Sequence, residues 1–83
     1  MYKWSIKHGI NGGYHVNGYK SGAEALFALG RLAARFTQEL GETVAVYGLP
    51  TDINSLKKGG GVILYRQSGD YLLDAVAVLR YDG

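Results

Sequence analysis

One segment of this sequence has the pattern of a long helix, and that pattern limits the folds open to the chain. Between Ser21 and Leu40, apolar residues recur every three or four positions, as on one face of an α-helix. Ser21 and Glu24 have the spacing of a capping box, and Gly41 is suited to end the helix in a left-handed turn. The predicted buried stripe is Leu26, Leu29, Ala33, Phe36 and Leu40, widened by Phe27, Gly30 and Ala34.

The other side of this helix is predicted to face away from the core. It carries charged and small residues: Glu24, Ala28, Arg31, Arg35 and Gln38. A glycine in a helix interior costs about 1 kcal/mol relative to alanine. We therefore expect Gly30 to permit a close approach of the helix to a sheet.

Alternation of polar and apolar residues predicts two strands before the helix. In the first, from Tyr2 to Lys7, the residues expected to face the core are Tyr2, Trp4 and Ile6. The pair Asn11-Gly12 then predicts a hairpin turn. In the second strand, residues 14–19, the core side is predicted to hold Tyr14 and Val16, and the outer side His15, Asn17 and Tyr19.

Three further strands are predicted after the helix, at residues 43–47, 62–66 and 71–80. The first of them, Thr43 to Tyr47, has little polar content and is predicted to be central. A short helical turn is predicted from Asp52 to Lys58. Asp74 interrupts an apolar run, which predicts a bulge or a strand end.

The predicted element order is β-β-α-β-β-β, with the short helical turn before the fourth strand. The sequence thus predicts one α+β domain over residues 1–83, in which a single long helix packs on one face of a mainly antiparallel sheet. Eighty-three residues can bury one modest core, and 47% hydrophobic with 19% charged residues is a folding composition.

The sequence favours a cytoplasmic protein. It contains no cysteine, which excludes disulfides, thiolate metal sites and a thiol nucleophile. No apolar run approaches the roughly 18 residues of a membrane span. The N-terminal residues alternate in polarity and lack the apolar core of a signal peptide.

The stretch GGYHVNGYKS nearly matches a phosphate-binding loop of the Walker A type. Gly13 and Gly18 have the required spacing, but Tyr19 separates Gly18 from Lys20. Such a loop needs a turn whose successive N–H groups converge on a phosphate. The intervening residues alternate like a strand instead, so we interpret the stretch as a hairpin arm and predict no nucleotide hydrolysis.

No catalytic or metal-binding pattern is recognisable, and we predict no enzyme activity, no metal and no cofactor. His8 and His15 are the only histidines, and no carboxylate or cysteine lies near them in the sequence. The serines lack the context of a nucleophile. Lys57, Lys58 and the three glycines that follow could cradle an anion, but a solvated loop is the preferred interpretation.

One helix covers one face of a sheet, so the other face is available for contacts. A basic N-terminal region and seven tyrosines in a short chain favour a binding surface. The predicted partner contacts are Lys3, Lys7, His15, Tyr19, Lys20, Tyr47 and Tyr65. Another protein is the preferred partner; the alternatives are single-stranded nucleic acid, stacked on the open sheet face, and a homodimer through that face.

The element order resembles that of small phage-encoded proteins, including anti-CRISPR inhibitors. The resemblance covers the order of elements and the short, cysteine-free chain, with no motif. It implies an inhibitor that blocks the surface of a partner in the host cell cytoplasm. Several such inhibitors are acidic mimics of nucleic acid, whereas this chain has a net charge of +2.

Overall fold

The computed structural model describes residues 2–9 and 13–83 of the chain. One helix, α1 (Gly22–Leu40), packs on a single antiparallel sheet, so the predicted α+β class is confirmed. The strands are β1 Trp4–His8, β2 His15–Tyr19, β3 Thr43–Tyr47, β4 Val62–Ser68 and β5 Tyr71–Tyr81. A 3₁₀ helix, Ile53–Lys58, follows β3 as predicted. The predicted turn at Asn11-Gly12 lies outside the described residues.

The strand order in the sheet is β2-β1-β5-β4-β3. The prediction that Thr43 to Tyr47 is a central strand is wrong, because β3 lies at an edge and pairs only with β4 among the described strands. The central strand is β5, whose 11 residues pair with β1 on one side and with β4 on the other. The apolar content of β3 is explained by its packing on β4 and α1.

The core lies between α1 and the middle of the sheet. Ile6, Leu79 and Val62 are neighbours across β1, β5 and β4, and all three are fully buried. Full burial of each such side chain contributes about 1.5–3 kcal/mol. The other buried apolar residues are Trp4, Ala25, Leu29, Leu32, Phe36, Leu56, Leu64, Val76 and Ala77.

Helix α1 has the predicted caps, and Leu29 and Phe36 of the predicted stripe are buried, but the helix is rotated slightly away from the predicted widening residues. The Ser21 side chain accepts a hydrogen bond from the Glu24 N–H, and Gly41 ends the helix with a φ of 65°. The buried residues are Gly22, Ala25, Leu29, Leu32 and Phe36. The predicted widening residues Phe27, Gly30 and Ala34 are exposed instead. Gly22 packs closely on β1, since an added Cβ would lie 2.9 Å from Trp4 Cζ2.

The prediction of which β2 residues face the core is wrong. In the antiparallel pairing, Tyr19 lies opposite Trp4, and Asn17 lies opposite Ile6. Directly opposite residues project from the same face of a sheet, so Tyr19 and Asn17 lie on the α1 side. Val16 lies on the other face and is 65% exposed. Alternation defined the two sides of β2, but the register with β1 decides which side meets α1.

The predicted irregularity near Asp74 is confirmed. The pairing of β4 with β5 shifts register twice, once between Leu64 and Tyr65 and again between Tyr65 and Gln67. The Asp74 carboxylate accepts a hydrogen bond of 2.9 Å from Arg66, which also donates to Glu42. Asp74, the acidic residue in the apolar run, therefore forms an ion pair with Arg66 that joins β5 to β4.

Gly30→Ala is expected to raise the free energy of unfolding by about 0.5–1 kcal/mol, because alanine costs less backbone entropy than glycine in a helix. An added Cβ at Gly30 meets nothing within 4 Å, so no packing is disturbed. This corrects the predicted close approach of the helix at this residue. Urea denaturation measures the change.

The matched control is Gly22→Ala, which should lower the free energy of unfolding. Its Cβ would approach both Trp4 and Ile53, at 2.9 and 3.0 Å. Overpacking of this kind costs about 1–3 kcal/mol. Stabilisation by both substitutions, or by neither, would contradict the observed rotation of α1.

Candidate functional site

The face of the sheet opposite α1 is called the open face here. The strand registers align five residues across it, one from each strand: Val16, Lys7, Val78, Ile63 and Tyr47. Four of these five side chains are apolar or aromatic, and Lys7 supplies the one charge. The row crosses the full width of the sheet from β2 to β3, so the open face carries an apolar band that is interrupted only at Lys7.

A second row beside the first extends this band. Ala45, Tyr65 and Ala75 are neighbours across β3, β4 and β5. The rings of Tyr47 and Tyr65 pack edge to face, with their centroids 5.7 Å apart. Tyr47 remains 47% exposed and Tyr65 is half-buried, so the pair offers a rigid aromatic contact with polar tips.

Lys7 is held at the β2 end of the row by an aromatic ring. Its Nζ lies 4.6 Å from the centroid of the Tyr14 ring, which is itself 61% exposed. A cation over an exposed ring gains about 0.5–1 kcal/mol. The interaction fixes a positive charge next to Val16, among exposed apolar groups.

The seven predicted contact residues do not form one surface. Lys7, Tyr47 and Tyr65 lie on the open face. His15 and Tyr19 lie on the α1 side of β2. The remaining two, Lys3 and Lys20, line a pocket at one end of the sheet. A role in partner contact stays a prediction for all seven, and the residues now belong to three locations.

The pocket that contains Lys3 and Lys20 is called the basic pocket here. It has a volume of about 450 Å³ and is lined by Tyr2, Lys3, Trp4, Lys20, Lys57 and Tyr81. The lysines come from before β1, between β2 and α1, and within the 3₁₀ helix. The sequence pattern suggested an anion cradle at Lys57 and Lys58, with a solvated loop preferred, and gave no sign that Lys57 lies near Lys3 and Lys20. The three lysines are far apart along the chain, which concealed the cluster.

A groove of about 730 Å³ runs along the outer side of α1 beside β2. Its apolar lining includes Tyr19, Leu32 and Phe27, and Phe27 is 71% exposed. Arg31 and Arg35 line its basic side. The sequence interpretation missed Phe27 as a surface residue, because it assigned this side chain to the buried stripe.

His8 is a buried histidine with a structural role. It is 7% exposed, and the Asn17 side-chain amide lies 3.1 Å from its Nε2. Burial lowers the pKa of His8, and the nearby positive charges of His15 and Arg35 lower it further. His8 is therefore neutral near pH 7, and its Nε2 accepts the Asn17 hydrogen bond.

The free energy of unfolding is expected to fall as the pH is lowered from about 7 to about 5. With its pKa lowered by folding, His8 binds a proton more weakly in the folded chain than in the unfolded chain, where the pKa is about 6.5. Protonation therefore favours unfolding once the pH drops below about 6.5. Urea denaturation at several pH values measures the slope.

His8→Gln is expected to flatten this slope, whatever its effect on stability at pH 7. Carboxylates titrate mainly below pH 5 and contribute little within this window. His15→Gln should reduce the slope only in part, because it removes one cause of the lowered His8 pKa and leaves the burial of His8 unchanged. An unchanged slope in the His8 variant would show that another group carries the pH dependence.

The described residues contain no cluster of three or more His, Cys, Asp or Glu side chains that could hold a metal ion. The helices of the described ranges, 2–9 and 13–83, include none that is long and apolar enough to cross a membrane. The predictions of no metal, no cofactor and no catalysis stay predictions.

No family model matches the chain. Searches of the curated proteins and of the solved structures also find no significant similarity. The open face and the basic pocket are therefore the features from which a function is inferred.

Proposed function

We propose that this chain is a non-enzymatic protein-binding module that docks its open face on an acidic surface of a partner protein. By occupying that surface, it blocks the partner's other contacts. The observation that carries the proposal is the apolar band across all five strands, on the face that α1 leaves uncovered.

The composition of the band supports a contact surface. An antiparallel sheet with one face in water normally carries polar residues on that face. Here Val16 and Tyr47, at the two ends of the first row, are 65% and 47% exposed. Exposed apolar groups gathered in one patch are typical of protein interfaces.

The charges of this face support an acidic partner. Lys7 lies in the first row, and Arg80 lies on the same face opposite Ser5. The nearby Asp82 carboxylate is already engaged by the Ser5 hydroxyl and by Arg80. The two rows of the band hold no carboxylate, so an acidic partner would supply the negative charge that Lys7 lacks within the band.

Single-stranded nucleic acid is the alternative occupant. Tyr47 and Tyr65 could stack on bases, but such proteins also need a track of cations beside their aromatic residues. Lys3 and Lys20 line the basic pocket, and Arg31 and Arg35 line the groove on the α1 side. This distribution favours a protein partner. The resemblance in element order to anti-CRISPR inhibitors supports a blocking role.

Val16→Glu and Tyr47→Glu are expected to weaken partner binding by roughly tenfold or more, because each places a negative charge in the band opposite an acidic surface. Partners are first identified by quantitative affinity capture with the wild-type chain. The purified partner is then titrated against each variant by calorimetry. Both substitutions are at exposed positions on edge strands, so folding should be retained.

Phe27→Glu is the matched control, because it places the same charge at a residue 71% exposed on the α1 side. It should change the affinity by less than about twofold. If it weakens binding as much as Val16→Glu does, the open face is not the docking surface.

Two further measurements separate the alternatives. Fluorescence anisotropy with labelled DNA and RNA at about 50 and about 200 mM salt tests nucleic acid, since phosphate contacts weaken steeply over that range. Sedimentation equilibrium tests for a homodimer. Either saturable nucleic-acid binding or dimer formation could depend on the open face, in which case Val16→Glu would abolish it and Phe27→Glu would not. That result would contradict a protein partner at the open face.

A further inference from the structure

We propose that the basic pocket binds the phosphate group of a small, ring-bearing phosphate ester such as a nucleoside monophosphate. The pocket brings Lys3, Lys20 and Lys57 together beside aromatic side chains. It lies away from the apolar band of the open face, so the proposal is independent of the protein partner.

The three lysines form a concentrated positive charge with no acidic partner of their own. All four ion pairs of the described residues are made by arginines. Asp82, whose N–H donates to the Lys3 carbonyl, directs its carboxylate to the Ser5 hydroxyl and to Arg80. Like charges held close together destabilise a fold, and a bound anion relieves that repulsion.

Lysines suit a phosphate because each ammonium group donates charge-assisted hydrogen bonds from a flexible stem. The three side chains start from separate parts of the fold, so they can approach an anion from different directions. Lys57 Nζ lies 5.7 Å from the centroid of the Tyr81 ring, which keeps it at the pocket wall. We therefore expect a single phosphate to meet more than one of these ammonium groups.

The pocket is larger than a phosphate needs, and its remaining wall is aromatic. A volume of about 450 Å³ falls within the range of small-molecule sites, about 300–1,000 Å³. Trp4 and Tyr81 pack edge to face with centroids 4.8 Å apart, which makes a rigid floor. Tyr2, which is 55% exposed, adds a third aromatic side chain to the lining. These features favour a phosphate ester that carries a ring over inorganic phosphate alone.

The chain contains its own probe for this site. Trp4 is the only tryptophan, and it lines the pocket. Titration with adenosine monophosphate at constant ionic strength is expected to change Trp4 fluorescence saturably, and the Trp4 indole N–H signal should shift in NMR spectra. Absence of a saturable change up to about 10 mM ligand would overturn the proposal, because most specific small-ligand sites bind more tightly than that.

Lys57→Gln and Lys58→Gln are a matched pair, because they are adjacent exposed lysines and only Lys57 lines the pocket. Lys57→Gln should weaken binding about fivefold or more, and Lys58→Gln by less than about twofold. Equal effects would show diffuse attraction to a basic surface and would overturn the site. Lys20→Gln is a second pocket variant, and thermal unfolding confirms that each variant folds.

Two further ligands distinguish the source of the phosphate. Adenosine, which has the ring without the phosphate, should bind at least about tenfold more weakly than adenosine monophosphate. An oligothymidylate of ten nucleotides without terminal phosphates should compete poorly with adenosine monophosphate. Its phosphates are all diesters within the backbone, whereas the pocket is proposed to bind a terminal phosphate group. If adenosine binds equally well, or if the oligonucleotide binds more tightly than the monophosphate, the proposed ligand class is wrong.

Discussion

The pairing of the first strand with the last is the interaction on which the rest of this structure depends. β1 and β5 meet in the middle of the sheet, and Ile6 lies opposite Leu79 with both side chains fully buried. Val62 continues the same row on β4, beneath α1. Contacts between residues this distant in sequence cost chain entropy to form. The free energy gained by burying this row offsets the entropic cost of bringing the two ends of the chain together.

Both candidate sites are products of this pairing. On the open face, the β1–β5 register places Lys7 beside Val78 and so joins the β2 end of the apolar band to the β4 and β3 end. At the end of the sheet, the same register sets Trp4 opposite Tyr81, which forms the floor of the basic pocket. A slip of one residue would transfer these side chains to the other face and remove both sites.

The two sites differ in the chemistry they offer. The open face presents a broad apolar band with little charge, which suits a protein surface that excludes water. The basic pocket concentrates three lysines around a small volume. If both proposals hold, a small phosphorylated molecule would bind at one end of a module whose open face contacts a protein. Strand β1 contributes Trp4 to the basic pocket and Lys7 to the open face, so it connects the two regions.

The sequence by itself determined the elements of this protein. Ser21 and Gly41 fixed the ends of α1, the alternation of polarity located the strands, and Asp74 marked the irregular part of β5. These features depend on hydrogen bonds and steric preferences between residues close in the chain. They were sufficient to predict the α+β class and the presence of an uncovered sheet face.

Only the tertiary structure decided which sides of these elements meet. Periodicity identifies the residues that share a side, but Val16 and Phe27 are exposed because the register of β2 and the rotation of α1 are set by packing against distant residues. The edge position of β3 and the convergence of Lys20 with Lys57 have the same origin. These positions depend on the pairing of strands that are distant in sequence, centred on β1 and β5. No local sequence pattern encodes that pairing.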